Sequence, residues 1–375
     1  MVPLVADRYG TRNEAGDRLT LQFVYQLFPR TSGNGVGEDV RRLWRSFLAE
    51  LKVPDWVYRG VANLRNFALE NNVPNPLRLG EGVTIRGRSL AELRSLGFND
   101  VTLDALVEDW RQGTGSSPYV ICVQHKLPKS RENLIRRDGT GFVAARRAIT
   151  SLRLANPGDV TMGPMWFARA ARFNVGIASG TFRGGWALPS VASAVYLLTR
   201  TTAREARSLQ AYVRYLDDNG YGNGPGNLDV ALQSFLSTYE RIPSSSAFQV
   251  VDTITAAEAI LSDGINTFKL AFRLAGLLGR TDAERVDVFQ DIMRFYKIRN
   301  SIVHGDRLTD AHMQTLARVN DARAYMRRLL VAFVRLAAST SPTRYTRRFF
   351  REDLDTELQN QRARRQMLRD LGLMR

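Results

Sequence analysis

Cysteine is almost absent from this chain: Cys122 is the only one in 375 residues. A lone thiol excludes an intrachain disulfide framework and a cysteine-rich zinc site. Histidine is nearly as scarce, at three residues. No HExxH pattern and no clustered His, Asp and Glu suggest a metal, so neither metal nor cofactor is expected. Long apolar runs are missing as well. The best candidate, LLVAFVRLAA, carries Arg335 and is far short of the roughly 20 residues that a membrane span requires. The opening MVPLVADRYG brings acid and base close together, unlike a secretory leader. The expectation is a cytoplasmic chain with no membrane partner. No P-loop and no Rossmann glycine fingerprint after a strand occur, and GTFRGGW is too short and generic to count as a phosphate loop. No repeat of fixed period is seen.

Lysine is the remaining scarcity. Lys52, Lys126, Lys129, Lys269 and Lys297 are the only lysines among 53 basic residues, and the net charge is +16. Such a balance attracts polyanions, chiefly nucleic acid, and guanidinium groups suit bidentate contact with phosphate. A GC-rich coding sequence also favours arginine, although it does not explain the excess of base over acid.

Length suggests about two to three domains, and 44% hydrophobic residues can fill sizeable cores. Residues 1–185 read as a mixed, mostly helical region of unassigned role, suited to sensing or to recognising RNA or a partner. Within it GEDVRRLWRSFLAELKV spaces Val40, Leu43, Trp44, Phe47, Leu48 and Leu51 as a helix. WVYRGVANLRNFALENN is expected to form a second helix, stopped by Pro74 and Pro76. YVICVQHKL reads as a strand. TMGPMWFARAARFNVGIASGTFRGGW shows no clear period. From 186 to 340 an all-α domain is expected, with its core at 228–338, followed by an arginine-rich helical tail at 341–375. SVASAVYLLTRTTAREARSLQAYVRYL predicts one long helix, and the glycines between Asp217 and Asn227 a loop. LDVALQSFLSTYERI resumes a helix. Ile254, Leu261, Ile265, Phe268, Phe272 and Ala275 then recur at 3/4 or 7 spacing, closed by Gly279. Thr281 or Asp282 can cap the next helix, and a further one is expected from about Asp310 to Ala338.

The informative stretch is YKIRNSIVHG, Tyr296–Gly305. Upstream, Val286, Phe289, Met293 and Tyr296 form one apolar stripe. Ile292, Phe295 and Ile302 form its neighbour, in which Arg299 takes an apolar residue's place. Asn300 extends the first stripe. Polar groups on a packed surface are costly unless something satisfies them. His304 follows Arg299 by five residues, about 140° round a continuous helix, so the two would share a site only at a helix end or between chains. Gly305 is a natural residue past that end. Histidine can move protons near neutral pH, and arginine can stabilise a phosphate gaining charge. Without a metal, that pair suits RNA cleavage, in which the 2′-hydroxyl is the nucleophile. The same residues also fit a carbonyl-capping histidine and a snorkelling arginine.

RNSIVH fits the R-x4–6-H motif of the HEPN superfamily, and its surroundings resemble the Apea-like HEPN branch. That branch has an Ala-Glu-rich helix, a later R-x-A-x-L-L stretch, then Y-x-x-R-[NS]-x-x-x-H-G. The corresponding residues are Ala257, Glu258, Arg273, Ala275, Leu277, Leu278, Tyr296, Arg299, Asn300, His304 and Gly305. The resemblance covers about a third of the chain, residues 228–338, and leaves 1–185 unexplained. It implies a mainly α fold with a C-terminal antiparallel helical bundle. It also implies a metal-independent endoribonuclease that leaves 2′,3′-cyclic phosphate and 5′-hydroxyl ends. Such enzymes usually act as homodimers with paired motifs across the interface, and serve in phage defence, toxin–antitoxin pairs or RNA processing. Arg299 would stabilise the scissile phosphate, His304 would act as acid and base, Asn300 would orient them, and Glu258 would support. Tyr296, Lys297, Arg344, Arg347 and Arg348 are further candidates for RNA contact. Some HEPN domains only bind RNA, so a non-catalytic module with an antitoxin or defence partner is the alternative. Three other sites carry less. His125 in its strand and Cys122 in its apolar run read as structural. His312 opens a helix. RRLWR and RYTRRFFR mix arginine with aromatics, which suits phosphate contact and base stacking or simply an amphipathic face.

Overall fold

The computed structural model of the chain describes residues 55–128 except 81, 97, 99 and 113–115, together with 140–169, 194–220, 227–240, 245–261, 266–339 and 344–374, and parts of a helix between 41 and 52. The chain is mainly α-helical, and the described strands all precede residue 199. They are β1 (Asp55–Arg65), β2 (Phe67–Leu69), β3 (Leu77–Gly80), β4 (Val83–Gly87), β5 (Ser116–Pro128), β6 (Thr161–Met162), β7 (Trp166–Arg169) and β8 (Tyr196–Leu198). There are two compact units: residues 1–64, 74–146 and 162–184 form one, and residues 65–73, 147–161 and 185–375 form the other.

The first unit is built on a sheet of order β3-β4-β5-β1-β6, with β7 also pairing β1. Valine and isoleucine alternate along β4, so Val83 and Ile85 turn inward and sit opposite Val123 and Ile121 of β5 in an antiparallel ladder. Helices α1 (Leu90–Ser95) and α2 (Asp100–Gln112) bring Leu93, Leu103 and Leu106 onto Val61, Val120, Cys122 and Trp166. Burial pushes the Cys122 thiol up to about 12, so it is a small core residue and not a nucleophile. The strand expected at YVICVQHKL is β5. The helix expected over WVYRGVANLRNFALENN is not formed, because these residues supply β1 and β2. β1 lies inside the sheet, and residues 60–65 are buried without alternation. Burial on both faces removed the period of two that would have marked a strand. Of the unassigned stretch that follows, Thr161–Met162 and Trp166–Arg169 are strands and 170–186 lies outside the described residues.

The second unit holds a short parallel pair, β2 with β8, and most of the helices. These are α3 (Thr140–Ala155, from Arg147 onward), α4 (Arg200–Asn219), α5 (Leu228–Glu240), α6 (Ser246–Leu261), α7 (Thr267–Leu278), α8 (Asp282–His304), α9 (Asp310–Leu316), α10 (Val319–Ala337), α11 (Arg347–Glu352), α12 (Leu354–Gln359) and α13 (Gln361–Asp370). α5 packs on α6, α7 on α8, and α6 also meets α8 and α10. One core runs through them and includes Phe235, Ile254, Leu274, Phe295 and Phe333. The arginine-rich end contributes Phe349, Phe350, Leu354, Met367 and Leu368 to that same core.

Several boundaries differ from expectation for local reasons. The long helix expected from Ser190 is a strand at Tyr196–Leu198 followed by α4, because Thr199 and Thr202 form a reciprocal cap. The run from Ile254 to Gly279 is two helices, since Asn266 caps α7 by accepting from the Lys269 amide at 2.9 Å. Phe268 is 61% exposed and therefore not core, and Ile265 lies outside the described residues. The helix expected from Asp310 breaks at Ala317–Arg318 into α9 and α10.

Candidate functional site

The site is organised by α8. Thr281 caps its start by accepting from the Glu284 amide at 3.1 Å. Gly305 ends it at φ +77°, while the Asp306 amide closes onto Ser301 O at 2.8 Å. A left-handed residue there costs glycine little and any other residue more. The face turned into the core carries Val288, Asp291, Ile292, Phe295 and Ile298. The stripe expected from Val286 to Tyr296 flanks that face: Val286 is 54% exposed, and Phe289, Met293 and Tyr296 are half-buried. Arg299 and Asn300 also sit half-buried at the edge of the packed surface.

Glu258 of α6 joins these residues. Its Oε1 accepts from the Tyr296 hydroxyl at 2.9 Å and its Oε2 from Arg299 Nη2 at 3.3 Å. Arg299 Nη1 donates to Asn300 Oδ1 at 3.1 Å, and its guanidinium carbon lies 5.6 Å from the centre of the Tyr296 ring. Arg299 Nε is buried and meets no acceptor. Burial, and then the hydrogen bond to Glu258, raise the Tyr296 hydroxyl above its ordinary value. The result is a guanidinium anchored on one edge by a carboxylate, with a quarter of the side chain still exposed. That is an arrangement able to hold a phosphate oxygen.

His304 is the last residue of α8 and is exposed. Because the helix stays regular through it, the backbone does not turn the ring back toward Arg299. The two positions are about 140° apart round the axis and about 7.5 Å apart along it. Glu258, Tyr296, Arg299 and Asn300 are thus brought together, and His304 leaves the same helix on another face.

The other candidates are placed elsewhere. Lys297 is exposed on α8. Arg344 pairs with Glu357 at 2.9 Å and donates to the Tyr345 hydroxyl at 3.2 Å. Arg347 donates to Asn227 at 3.3 Å, and Arg348 pairs with Glu352 one turn along α11 at 2.7 Å. His312 is spent on a reciprocal cap, its ring Nδ1 accepting from the Thr309 amide at 3.3 Å. His125 is half-buried with an unpartnered Nε2, and burial lowers its pKa. No group of three or more His, Cys, Asp or Glu residues among the described residues could hold a metal ion, and no described helix is long and apolar enough to cross a membrane.

The sequence reading missed Asp291. It is buried on the core face of α8 and accepts from both terminal nitrogens of Arg318 at 2.8 Å and from the Tyr325 hydroxyl at 3.0 Å. Burial, then that hydrogen bond, push the Tyr325 hydroxyl up to about 12. The available signal was phase: an acid between Val288 and Ile292 on the inward face must be paired. This tie fixes α8 against the start of α10, and so fixes the helix that carries the motif. Compared with protein-family models, with curated proteins and with solved structures, the chain matches none.

Proposed function

We propose that the chain is an endoribonuclease of the HEPN type that needs no metal ion, acts as a homodimer in the cytoplasm, and serves prokaryotic phage defence or toxin-like growth control. The observation that carries this reading is the cluster that Glu258 of α6 makes with Tyr296, Arg299 and Asn300 of α8, the helix that also ends in His304. Arg299 would hold a non-bridging oxygen of the scissile phosphate through the second N–H of its terminal nitrogens, whose first N–H groups go to Glu258 and Asn300. The substrate's 2′-hydroxyl would attack phosphorus as its proton passes to a basic imidazole. The bond to the 5′-oxygen would break as that oxygen takes a proton from an acidic one. The products are a 2′,3′-cyclic phosphate and a 5′-hydroxyl. Two proton transfers on opposite sides of one phosphate suit two His304 side chains, one from each protomer. A dimer also answers the divergence of Arg299 and His304 within one helix. The exposed Phe268, edge-on to Phe289 at 5.3 Å, and the exposed Val286 extend an uncovered apolar strip along α7 and α8 that a second copy would bury.

A second reading is favoured by the Glu258 contact. An arginine already paired with a carboxylate can be purely structural, and the domain would then bind RNA without cutting it, together with an antitoxin or defence partner. End-group mapping separates the two. With EDTA present, the wild type should leave cyclic-phosphate ends, and His304→Ala should lower cleavage at least about 100-fold, the scale of a lost acid–base group. Cleavage by His304→Ala at the wild-type rate would overturn the nuclease reading.

A further inference from the structure

Two cavities of the second unit adjoin. One, of about 720 Å³, is lined by Thr201, Arg204 and Glu205 of α4 and by Arg327 and Arg328 of α10. The other, of about 510 Å³, is lined by Arg335, Arg344, Arg369 and Asp370. Gly372 lines both. An ion pair also spans them, because Arg335 of the second cavity holds Glu205 of the first. Gly372 sits at φ +66° where the chain turns out of α13, and a Cβ there would find Arg335 Nη1, at 3.9 Å, as its nearest neighbour. The two cavities thus meet at Gly372 and at the Arg335–Glu205 pair, so one extended ligand can follow both as a single groove.

Its lining is unbalanced, with six arginines against two carboxylates. Both carboxylates are engaged: Glu205 by Arg335, and Asp370 by the Tyr345 hydroxyl at 2.6 Å and Gln366 at 2.7 Å. Among the described residues no acid forms an ion pair with Arg204 or Arg328. Partial burial, then the charge of Arg280, lower the Arg328 guanidinium below its usual range, a cost that a bound anion would relieve. The first-turn amides of the 20-residue helix α4 add partial positive charge beside Thr201. Concentrated like charge in a concave wall focuses the field on an anionic ligand.

We propose that this groove grips the phosphodiester backbone of single-stranded RNA, and this rests on the RNA-cleaving reading above. A single phosphate would need one cavity. Here the arginines continue on both sides of Gly372, as a chain of phosphates requires, and the exposed Arg204 and Arg369, one in each cavity, can fork onto phosphates. The aromatic ring in the lining, Tyr345, is edge-on to Phe349 and hydrogen-bonded to Asp370, so it is not free to stack on a base. Backbone contacts without base contacts position a strand and leave its sequence unread.

The test uses the full chain and a fluorescent 2′-O-methyl oligoribonucleotide of about 12 nucleotides, which presents phosphates but has no free 2′-hydroxyl to attack. Binding is measured across salt concentrations. Arg204 and Arg369 are exposed, so Arg204→Gln/Arg369→Gln should fold normally. It should bind at least about tenfold more weakly and lose about 1.4 from the salt slope, at roughly 0.7 per phosphate contact on single strands. Arg204→Lys/Arg369→Lys should recover most of the affinity, and Arg94→Gln in the first unit should bind like the wild type. Wild-type affinity and slope in the glutamine variant, equal loss in the lysine variant, or no binding by the wild type would each overturn the proposal. Unchanged binding by the glutamine variant, with cleavage abolished by His304→Ala, would remove the groove and keep the nuclease. Weakened binding with undiminished cleavage by His304→Ala would do the reverse.

Discussion

At the scale of single residues, much of the arginine in this protein is structural. Arg273 is fully buried, donates to Leu261 O at 2.7 Å, and holds Asp355 at 2.7 and 2.9 Å. Arg364 donates to Gly276 O at 2.8 Å and to Gly279 O, and Arg328 to Leu278 O at 3.0 Å. Arg327 donates to Arg153 O at 2.8 Å and to the Tyr239 hydroxyl at 3.0 Å. These acceptors cluster at helix C-termini, where the last carbonyls lack partners and the dipole is negative. A guanidinium reaches several acceptors at once from a fixed plane, and an ammonium does not. Arg273→Ala should therefore cost about 3–5 kcal/mol, the scale for stripping one partner from a buried pair, and Arg273→Lys should recover only part of it. Urea denaturation with an unchanged m-value would check this. In the candidate site, Glu258→Gln keeps the shape but weakens the hold on Arg299 and Tyr296. RNA cleavage should fall about tenfold, the order of one charge-assisted contact, with little change in RNA affinity. Steady-state kinetics that show a change only in KM would refute that positioning role.

At the scale of elements, α4, α7, α8, α9, α11 and α13 start at side-chain caps, and α7 packs on α12 where a small residue allows. Gly305 has open space around a hypothetical Cβ, so Gly305→Ala pays only for its left-handed backbone, about 1–2 kcal/mol. A Cβ on Gly276 would meet Leu358 Cδ2 at 2.7 Å, where α12 lies on α7. Gly276→Ala must push α12 away and should cost about 1–3 kcal/mol through overpacking. Thermal melts of both variants, with Gly276→Ala the lower when Leu358→Ala is absent and relieved when it is present, would confirm the contact. A Gly276→Ala melt that Leu358→Ala does not relieve would count against it.

At the scale of the whole molecule, the C-terminal segment is part of the second unit's core. Burying each of Phe350, Leu354, Met367 and Leu368 is worth about 1.5–3 kcal/mol. Deleting residues 341–375 should leave an apolar face and an insoluble or unfolded product, seen as loss of a cooperative melt. Asp355 adds a pH dependence. Burial alone would raise its carboxyl pKa, but hydrogen bonds from Arg273 and then Lys269 outweigh burial and hold it below the usual range. Its contribution is full above the unfolded value near about 4 and disappears as pH falls through the lower folded value. Stability should thus drop below about pH 4, and Asp355→Asn should flatten that part of the profile. The proposed dimer has its own test, because Phe268→Asp should shift sedimentation toward monomer and abolish cleavage together.

The sequence by itself determined the helical character of the second half, a cap at Thr281 or Asp282, the helix end at Gly305, the strand at β5, and the placing of Tyr296, Arg299 and Asn300 along the edge of one helix. These are local or periodic properties, legible wherever one face is buried and the other wet. Only the tertiary structure decided that Trp56–Leu69 supplies strands β1 and β2, since burial on both faces erases the period. It also decided that Asp291, Arg273 and Arg327 are buried and paired, because charge in a sequence carries no address. The same holds for the arginines that pair within the C-terminal helices and those that line a groove. Whether a guanidinium binds a carbonyl, a carboxylate or water depends on what the rest of the chain folds beside it.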